Sequence, residues 1–527
     1  MSERPAPTAR GHHDMTESVG SVRAVRAFLW SRRRARPSLL DRYVTGFGLA
    51  MLAAVFGTPV TSTLEGLNLQ IDPSRTGAGV ALVALALAGF LATARAAGPV
   101  LLPSPDASWL LLSPLNRRQL LGPTGRMLVL VAVMAGALLG LGLVMALGAP
   151  DPIVWRVLGA LALGVSAAVG GMALAVLGQA SQSWQVWLTV VTAALMALAV
   201  LAVSGRLRTV LALAANAPLP AVTAAASGAA AVAAFLVGRA WVALDRIPTR
   251  ALVTASTRGG HVANAAVVLD PGALTWIAED NHWRARRLTS RRWPALPAPL
   301  ALAWQDWRRL GRRPGRLAAM FALAALPAVL AQAGGPPPVL GGAVLAGALA
   351  VAVTGTSGAR RDGDNPALAR LIGVGHRQAL AARAILPALL GGAWATLALV
   401  WVSVLTGAFS GTWWWLGLPV APALAAAALR MAGRSPVDHS APVLDTPGGP
   451  VPTGPLIWAF TGIDLALIGC LPAVAALFSA PARPGTFLAV QAVAGALVLA
   501  GYLWRARPRT AQETVTGPAT KGTAQAT

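Results

Sequence analysis

Lysine, cysteine and acidic residues are scarce in this 527-residue chain. Lysine occurs once, at Lys521. The phosphate-binding loop Gly-x-x-x-x-Gly-Lys-Ser/Thr needs a lysine that reaches the nucleotide phosphates, so the chain cannot build one and any ATP hydrolysis must come from elsewhere. The single cysteine, Cys470, excludes an intrachain disulfide, and within its apolar run it reads as a small buried residue. The six histidines are scattered through tails and loops, without the His-Glu-x-x-His spacing or cysteine cluster that a metal site needs. No Gly-x-Ser-x-Gly elbow stands out. The expectation is a chain that is not an enzyme, with no catalytic, cofactor-binding or metal-binding set.

What is abundant is apolar surface. Hydrophobic residues make up 55% of the chain, charged residues 12%, and the mean hydropathy is +0.61. About 20 apolar residues cross the ~30 Å hydrocarbon layer as a helix, and many runs reach that length. The fold expected is all-α, a polytopic transmembrane helical protein with about twelve spans. They are placed at 43–64, 78–98, 126–148, 156–178, 184–204 and 219–242, then at 316–333, 337–357, 384–407, 412–431, 456–479 and 484–504. The seventh and eighth, parted only by Gly334 to Pro338, could instead form one re-entrant hairpin. The Gly136–Gly140 spacing in the third span marks close helix packing.

The domain reading follows: a cytoplasmic tail and interfacial helix over 1–42, a six-span half over 43–242, a connector over 243–315, a second half over 316–504 and a tail over 505–527. Residues 1–42 are polar and arginine-rich, which reads as a tail and not as a cleavable signal peptide. Residues 1–16 and 506–527 have the composition of disordered tails.

Arginine placement sets the orientation, because cytoplasmic loops carry the excess of basic residues. With both termini cytoplasmic, only Arg75, Arg156, Arg206, Arg208 and Arg483 fall in outer loops. This topology accounts for the net charge of +24 without a nucleic-acid partner, aided by attraction to an anionic inner leaflet. The expected location is the cell membrane, multi-pass.

The halves read as a tandem 6+6 repeat. Trp30 and Pro37 before the first span recur as Trp307 and Pro314 before the seventh, both displaced by 277 residues. Arg118-Gln119 recurs as Arg377-Gln378, displaced by 259. The shift fits a longer outer loop in the first half, around Glu65 to Thr76. Val22 to Trp30 and Ala301 to Leu310 mix aromatic, aliphatic and Arg residues at helical spacing. Each could lie in the membrane interface or simply be a juxtamembrane cluster that fixes topology.

Two basic knobs fill the same slot, between the second and third span of each half. The first runs through Leu112, Ser113, Pro114, Leu115, Asn116, Arg117, Arg118 and Gln119. Proline disfavours helix in the residue before it, so a separate short helix is expected over Asn116 to Leu121 with both arginines exposed. The second runs through Gly373, Val374, Gly375, His376, Arg377 and Gln378, with His376 starting the next helix. Each knob could dock a partner or be a plain basic loop; two in matching slots point to docking. Inside the membrane, Asp464 in the eleventh span could line a substrate or proton path, or pair with an arginine such as Arg434 near the interface.

The leucine run, Ser-Pro-Leu, Asn, Arg-Arg and Gln-Leu-Leu before a span resembles the coupling segment of ABC-2-type exporter permeases. The resemblance implies six spans per half, an interfacial helix before the first, a coupling helix between the second and third, and a separate ATPase subunit. It would cover nearly all of the chain outside the tails. The whole, including the proline-rich stretch from Asp445 to Pro455, is also similar to an actinobacterial family of large permease-like membrane proteins. Departures are Gly-Val-Gly in the second knob where the first has Ser-Pro-Leu, and the lack of a large extracellular domain. The function expected is an exporter permease. A secondary transporter, with broken helices and paired ionisable groups, and a non-transport scaffold are the alternatives.

Overall fold

The computed structural model describes residues 73–102, 107, 117–148, 153–257, 294–364, 373–434, 443–446, 449–481 and 483–506. Ten helical segments within them are long and apolar enough to cross a membrane. The protein is a multi-pass membrane protein. In hydrocarbon, a single segment can satisfy all its backbone polar groups only as a helix. These Ala-, Leu-, Val- and Gly-rich runs also expose large side chains outward, Leu138 and Val404 among them at 72% and 70%.

The first half contains α1 (Pro73–Ala97), α2 (Arg117–Leu147), α3 (Ile153–Ala180), α4 (Gln182–Val203), the short α5 (Arg208–Ala215) and α6 (Leu219–Ala243). Arg156 closes α5 by donating to the Ala215 and Ala217 carbonyls at 2.9 Å each. After α6 come a 3-10 turn over Leu244–Arg246 and a helix over 249–257. The connector then resumes as the amphipathic α7 (Ala298–Gly311).

The second half contains α8 (Pro314–Leu323), α9 (Leu326–Gln332), α10 (Pro337–Thr354), α11 (Ser357–Asp364), α12 (His376–Thr406) and α13 (Gly417–Ala432). Then come strands β1 (Val443–Thr446) and β2 (Gly449–Pro452), and α14 (Thr453–Phe460), α15 (Ile463–Gly469), α16 (Leu471–Ser479) and α17 (Gly485–Arg505). The proline-rich stretch thus pairs as an antiparallel ribbon, with Asp445 opposite Pro450, and among the described residues this hairpin holds the only strands.

Packing repeats between the halves. Both α2 and α12 have 31 residues, and they start 259 residues apart, the displacement of the Arg-Gln pair. Helix α2 packs on α1 and α3, α3 on α6, and α1 on α4; likewise α12 packs on α10 and α13, α13 on α17, and α10 on α16. The pairs α2–α3 and α12–α13 approach at glycines. A Cβ on Gly140 would lie 2.6 Å from Leu161 Cα, and one on Gly392 would lie 2.9 Å from the Gly417 carbonyl oxygen. The halves meet where Val329 of α9 packs among Ala78, Ala81 and Ala84 of α1.

Two expectations change, and one placement stands. The eleventh span, 456–479, is not one helix but α14, α15 and α16 in series. The short helix over Asn116 to Leu121 is not separate: Arg117 opens α2, which runs on through Pro123. The seventh and eighth spans are two segments, Gly315–Gln332 and Pro337–Thr354, each of crossing length. The first span, the segment from Val22 to Trp30, the N-terminal tail and the C-terminal tail from 507 on lie outside the described residues.

Candidate functional site

The second knob is tied into the membrane half by a buried ionic cluster. Spacing of four puts Leu302, Asp306 and Leu310 on one face of α7, and all three are buried. Asp306 therefore sits in the middle of an apolar stripe, 2% exposed, and must meet a cation. Arg383, two turns into α12 and 3% exposed, supplies it: Nη1 to Asp306 Oδ1 is 2.6 Å. The same guanidinium forks onto Asp362 of α11, Nε to Oδ2 at 2.9 Å and Nη2 to Oδ1 at 3.2 Å. It also donates to the Leu302 carbonyl at 3.2 Å. One side chain thus joins three elements: α7, α11 and α12. Burial pushes the Asp306 carboxyl above the usual carboxylate range, against the pull of Arg383 and Arg309. Its Oδ2 accepts no hydrogen bond among the described residues.

Glycine at 358 makes room for this cluster. A Cβ there would overlap Asp306 Oδ1 and Arg383 Nη1 and lie 2.6 Å from Arg383 Cζ. Because the guanidinium is held from several sides, it cannot swing away. Gly358→Ala should cost about 1–3 kcal/mol, the usual range for overpacking, seen as a lower melting temperature in detergent. Gly363→Ala on the same helix, with no atom within 4 Å, is the control and should melt at or above the parent temperature.

The exposed edge of this unit is the start of α12. Val374 is buried against Leu302, whereas His376, Arg377 and Gln378 are exposed. The first knob is arranged differently. Arg117 donates to the Ile247 carbonyl at 3.1 Å and to Thr249 Oγ1 at 2.9 Å, and Arg118 Nε lies 2.5 Å from Asp245 Oδ2. Both arginines are half-buried and hold the foot of α2 to the chain leaving α6. The approach to this knob is clamped too: Gln179 exchanges two 3.0 Å hydrogen bonds with the Val100 backbone, and Ser256 Oγ accepts from Leu102 N–H at 3.0 Å. Leu112 and Leu115 lie outside the described residues, as does the side chain of Gln119.

Asp464 lies at a break in the broken span. Gly462 has φ +96°, and a Cβ there would also lie 2.8 Å from the Ala427 carbonyl oxygen, so only glycine fits. The freed backbone groups find partners. Asp464 Oδ1 accepts from Gly462 N–H at 2.7 Å and Leu465 N–H at 2.8 Å, and Arg434 Nε donates to the Thr461 carbonyl at 2.8 Å. Asp464 Oδ2 pairs with Arg430 of α13 at 3.0 Å, so its ion-pair partner is Arg430 and not Arg434. At the second break Gln491 of α17, fully buried, accepts from Ala473 N–H at 3.0 Å and donates to the Gly469 carbonyl at 2.7 Å. Irregular backbone at membrane depth persists only where protein satisfies it in this way.

Sequence reasoning missed Arg383, Asp306, Asp362 and Gln491. The signal for the first three was scarcity: with so few acids in the chain, one at the centre of an amphipathic apolar face implies a buried cation nearby. Gln491 had no such signal, since one amide in an apolar run gives no hint of a broken neighbour.

A family described as one of unknown function (DUF6297) matches residues 72–442. The match takes in α1 through α13, hence both knobs and the Arg383 cluster, and ends before the broken span. No curated protein and no solved structure matches the chain.

Proposed function

We propose that this chain, which belongs to the DUF6297 family, is the membrane-spanning permease of an ABC-type exporter whose ATPase is a separate subunit. The observation that carries the reading is the Arg383 cluster. It makes the amphipathic α7, the segment after the second span of its half and the foot of α12 one mechanical unit. A push on the exposed His376, Arg377 and Gln378 would then move a whole half. In this reading the chain has twelve spans as 6+6, cytoplasmic termini and a place in the cell membrane, with its basic face toward an anionic leaflet. The knobs divide the work: the second offers its exposed edge to the motor, while Arg117 and Arg118 of the first brace the connector. Leu112 and Leu115 would supply the first knob's contact.

One observation favours a second reading. The broken α14–α16 span with its Asp464–Arg430 pair is the kind of element around which secondary transporters build ion and substrate sites.

Pull-down of the tagged full-length chain from native membranes separates the two. An ABC ATPase should follow the parent protein, and Arg377→Glu should reduce its recovery about tenfold at unchanged thermal stability, since a repelled charge at a docking edge costs on the order of 1.4 kcal/mol or more. An eluate without any ATPase removes the exporter reading. Loss of ion-coupled transport in Asp464→Asn would then establish the second.

A further inference from the structure

A cleft of about 760 Å³ opens between the C-terminal ends of α13 and α17 and the first break of the broken span. Arg430, Arg434 and Arg505 border it, and no acid is among its described lining residues; Asp464 reaches it only through its ion pair with Arg430. Asp464 offsets Arg430, and Arg434 is engaged by the Thr461 carbonyl and by the Trp458 ring, 4.5 Å from its centroid. Arg505 is exposed at the last turn of α17. The cleft keeps a surplus of positive charge with fork-shaped donors, the geometry that suits phosphate oxygens.

Leu497 also lines a second, open groove of about 400 Å³, whose described lining is Ala489, Val490, Val493, Ala494 and Leu497. Val490, Val493 and Leu497 are 57%, 60% and 66% exposed, and their spacing makes one stripe along α17. From Arg505 to Val490 the helix rises about 22 Å, enough to accompany an acyl chain through one leaflet of about 15 Å. Trp504, 73% exposed, sits beside the basic end, where tryptophan favours headgroup depth.

We propose that this pair of cavities is a binding site for an anionic phospholipid, its phosphate between Arg430 and Arg505 and one acyl chain along Val490, Val493 and Leu497. A free phosphate would use only the basic half and leave the apolar groove unfilled. A zwitterionic lipid would bring its own cation against the arginines. Basic pockets between membrane helices recognise anionic headgroups by this charge complementarity. No described lining residue of the site belongs to either knob, so the proposal holds under either transport reading.

Native mass spectrometry on the detergent-purified full chain tests it, with phosphatidylglycerol, phosphatidylcholine and inorganic phosphate as probes. Phosphatidylglycerol should bind about tenfold more tightly than phosphatidylcholine. Arg505→Gln should lower that affinity about threefold or more, and Leu497→Trp, which fills the groove, should do the same without changing the charge. Arg246→Gln, an exposed arginine away from the cleft, should bind as the parent does. Equal binding of the two lipids, indifference to both cleft variants, or complete displacement of phosphatidylglycerol by millimolar phosphate would each overturn the proposal.

Discussion

Arg383→Ala should lower the stability of the protein by about 3–5 kcal/mol, the cost of breaking a buried ion pair by removing one partner. The magnitude follows from what remains. Asp306 is 2% exposed, and without Arg383 its Oδ1 loses the 2.6 Å ion pair while Oδ2 already accepts no hydrogen bond among the described residues. Asp362 would lose both teeth of its fork. Arg383→Lys should recover only part of the loss, since an ammonium can meet one carboxylate but cannot span Asp306 and fork Asp362 together. The informative comparison is Arg383→Met with Asp306→Leu. Replacing a buried pair by packed apolar residues is often close to neutral, so the double variant should be more stable than Arg383→Ala despite carrying two changes. Thermal unfolding in detergent, followed by tryptophan fluorescence, gives the order. If the double variant is no better than the single, the cluster is not held together by charge. Under the exporter reading the double variant has a second signature: folded protein that still binds an ATPase but no longer transmits its movement, because α7 and α12 have lost their strut.

The spans could be read from the chain because hydrocarbon leaves the backbone one choice. Where an apolar run was uninterrupted and capped by polar residues, expectation and structure agree closely, as for 156–178 against Ile153–Ala180 and 184–204 against Gln182–Val203. Helix starts were less legible. Hydropathy places the third span at 126, but the helix starts at Arg117, because backbone hydrogen bonding continues beyond the apolar run into the basic knob. The break at Gly462 was hidden for a different reason. Its cause is tertiary: α13 approaches so closely there that Met431 and Ala427 leave no room for a side chain, and the neighbours Arg434 and Asp464 satisfy the opened backbone. An apolar run with one aspartate looks the same whether or not such a neighbour exists. The likeness in packing between the halves was legible only at two short motifs. The rest of it was not, since the matching helices α2 and α12 share a starting point and a length but little sequence.

The halves also differ in a way that the paired motifs concealed. At the position in α2 that matches Arg383 stands Thr124, whose hydroxyl donates to the Leu101 carbonyl at 3.3 Å. The first half therefore braces its knob with the part-exposed arginines Arg117 and Arg118, neutral hydrogen bonds and a small apolar core around Leu121, Ile247 and Leu252, the second with buried charge. Neutral hydrogen bonds contribute about 1 kcal/mol each and are replaceable; a buried charged fork fails all at once. The two knobs are alike in sequence slot and unlike in mechanics.

Gly164→Val should be about as damaging as the loss of Arg383, for a reason that has nothing to do with charge. A Cβ at Gly164 would overlap the Gly136 carbonyl and Gly140 N, and lie 2.6 Å from Gly140 Cα. All of these are backbone atoms of α2, so no side chain can turn aside. The helices must move apart, and the separation propagates along the whole α2–α3 contact. Between membrane helices, close packing and interhelical hydrogen bonds replace the hydrophobic drive that holds soluble cores together, so widening this contact removes its principal support. Overpacking commonly costs about 1–3 kcal/mol when the neighbours can adjust; with only backbone opposite, the loss should reach the upper end or exceed it. Gly164→Ala should fall between valine and the parent, because the overlap begins at Cβ. Gly89→Val on α1, where no atom lies within 4 Å, controls for the substitution itself and should leave the melting temperature nearly unchanged. Melting curves of these variants in one detergent decide it. A Gly164→Val protein that melts with the Gly89→Val control would mean that α2 and α3 are not packed backbone to backbone, and that the Gly136–Gly140 spacing is incidental to a glycine-rich chain.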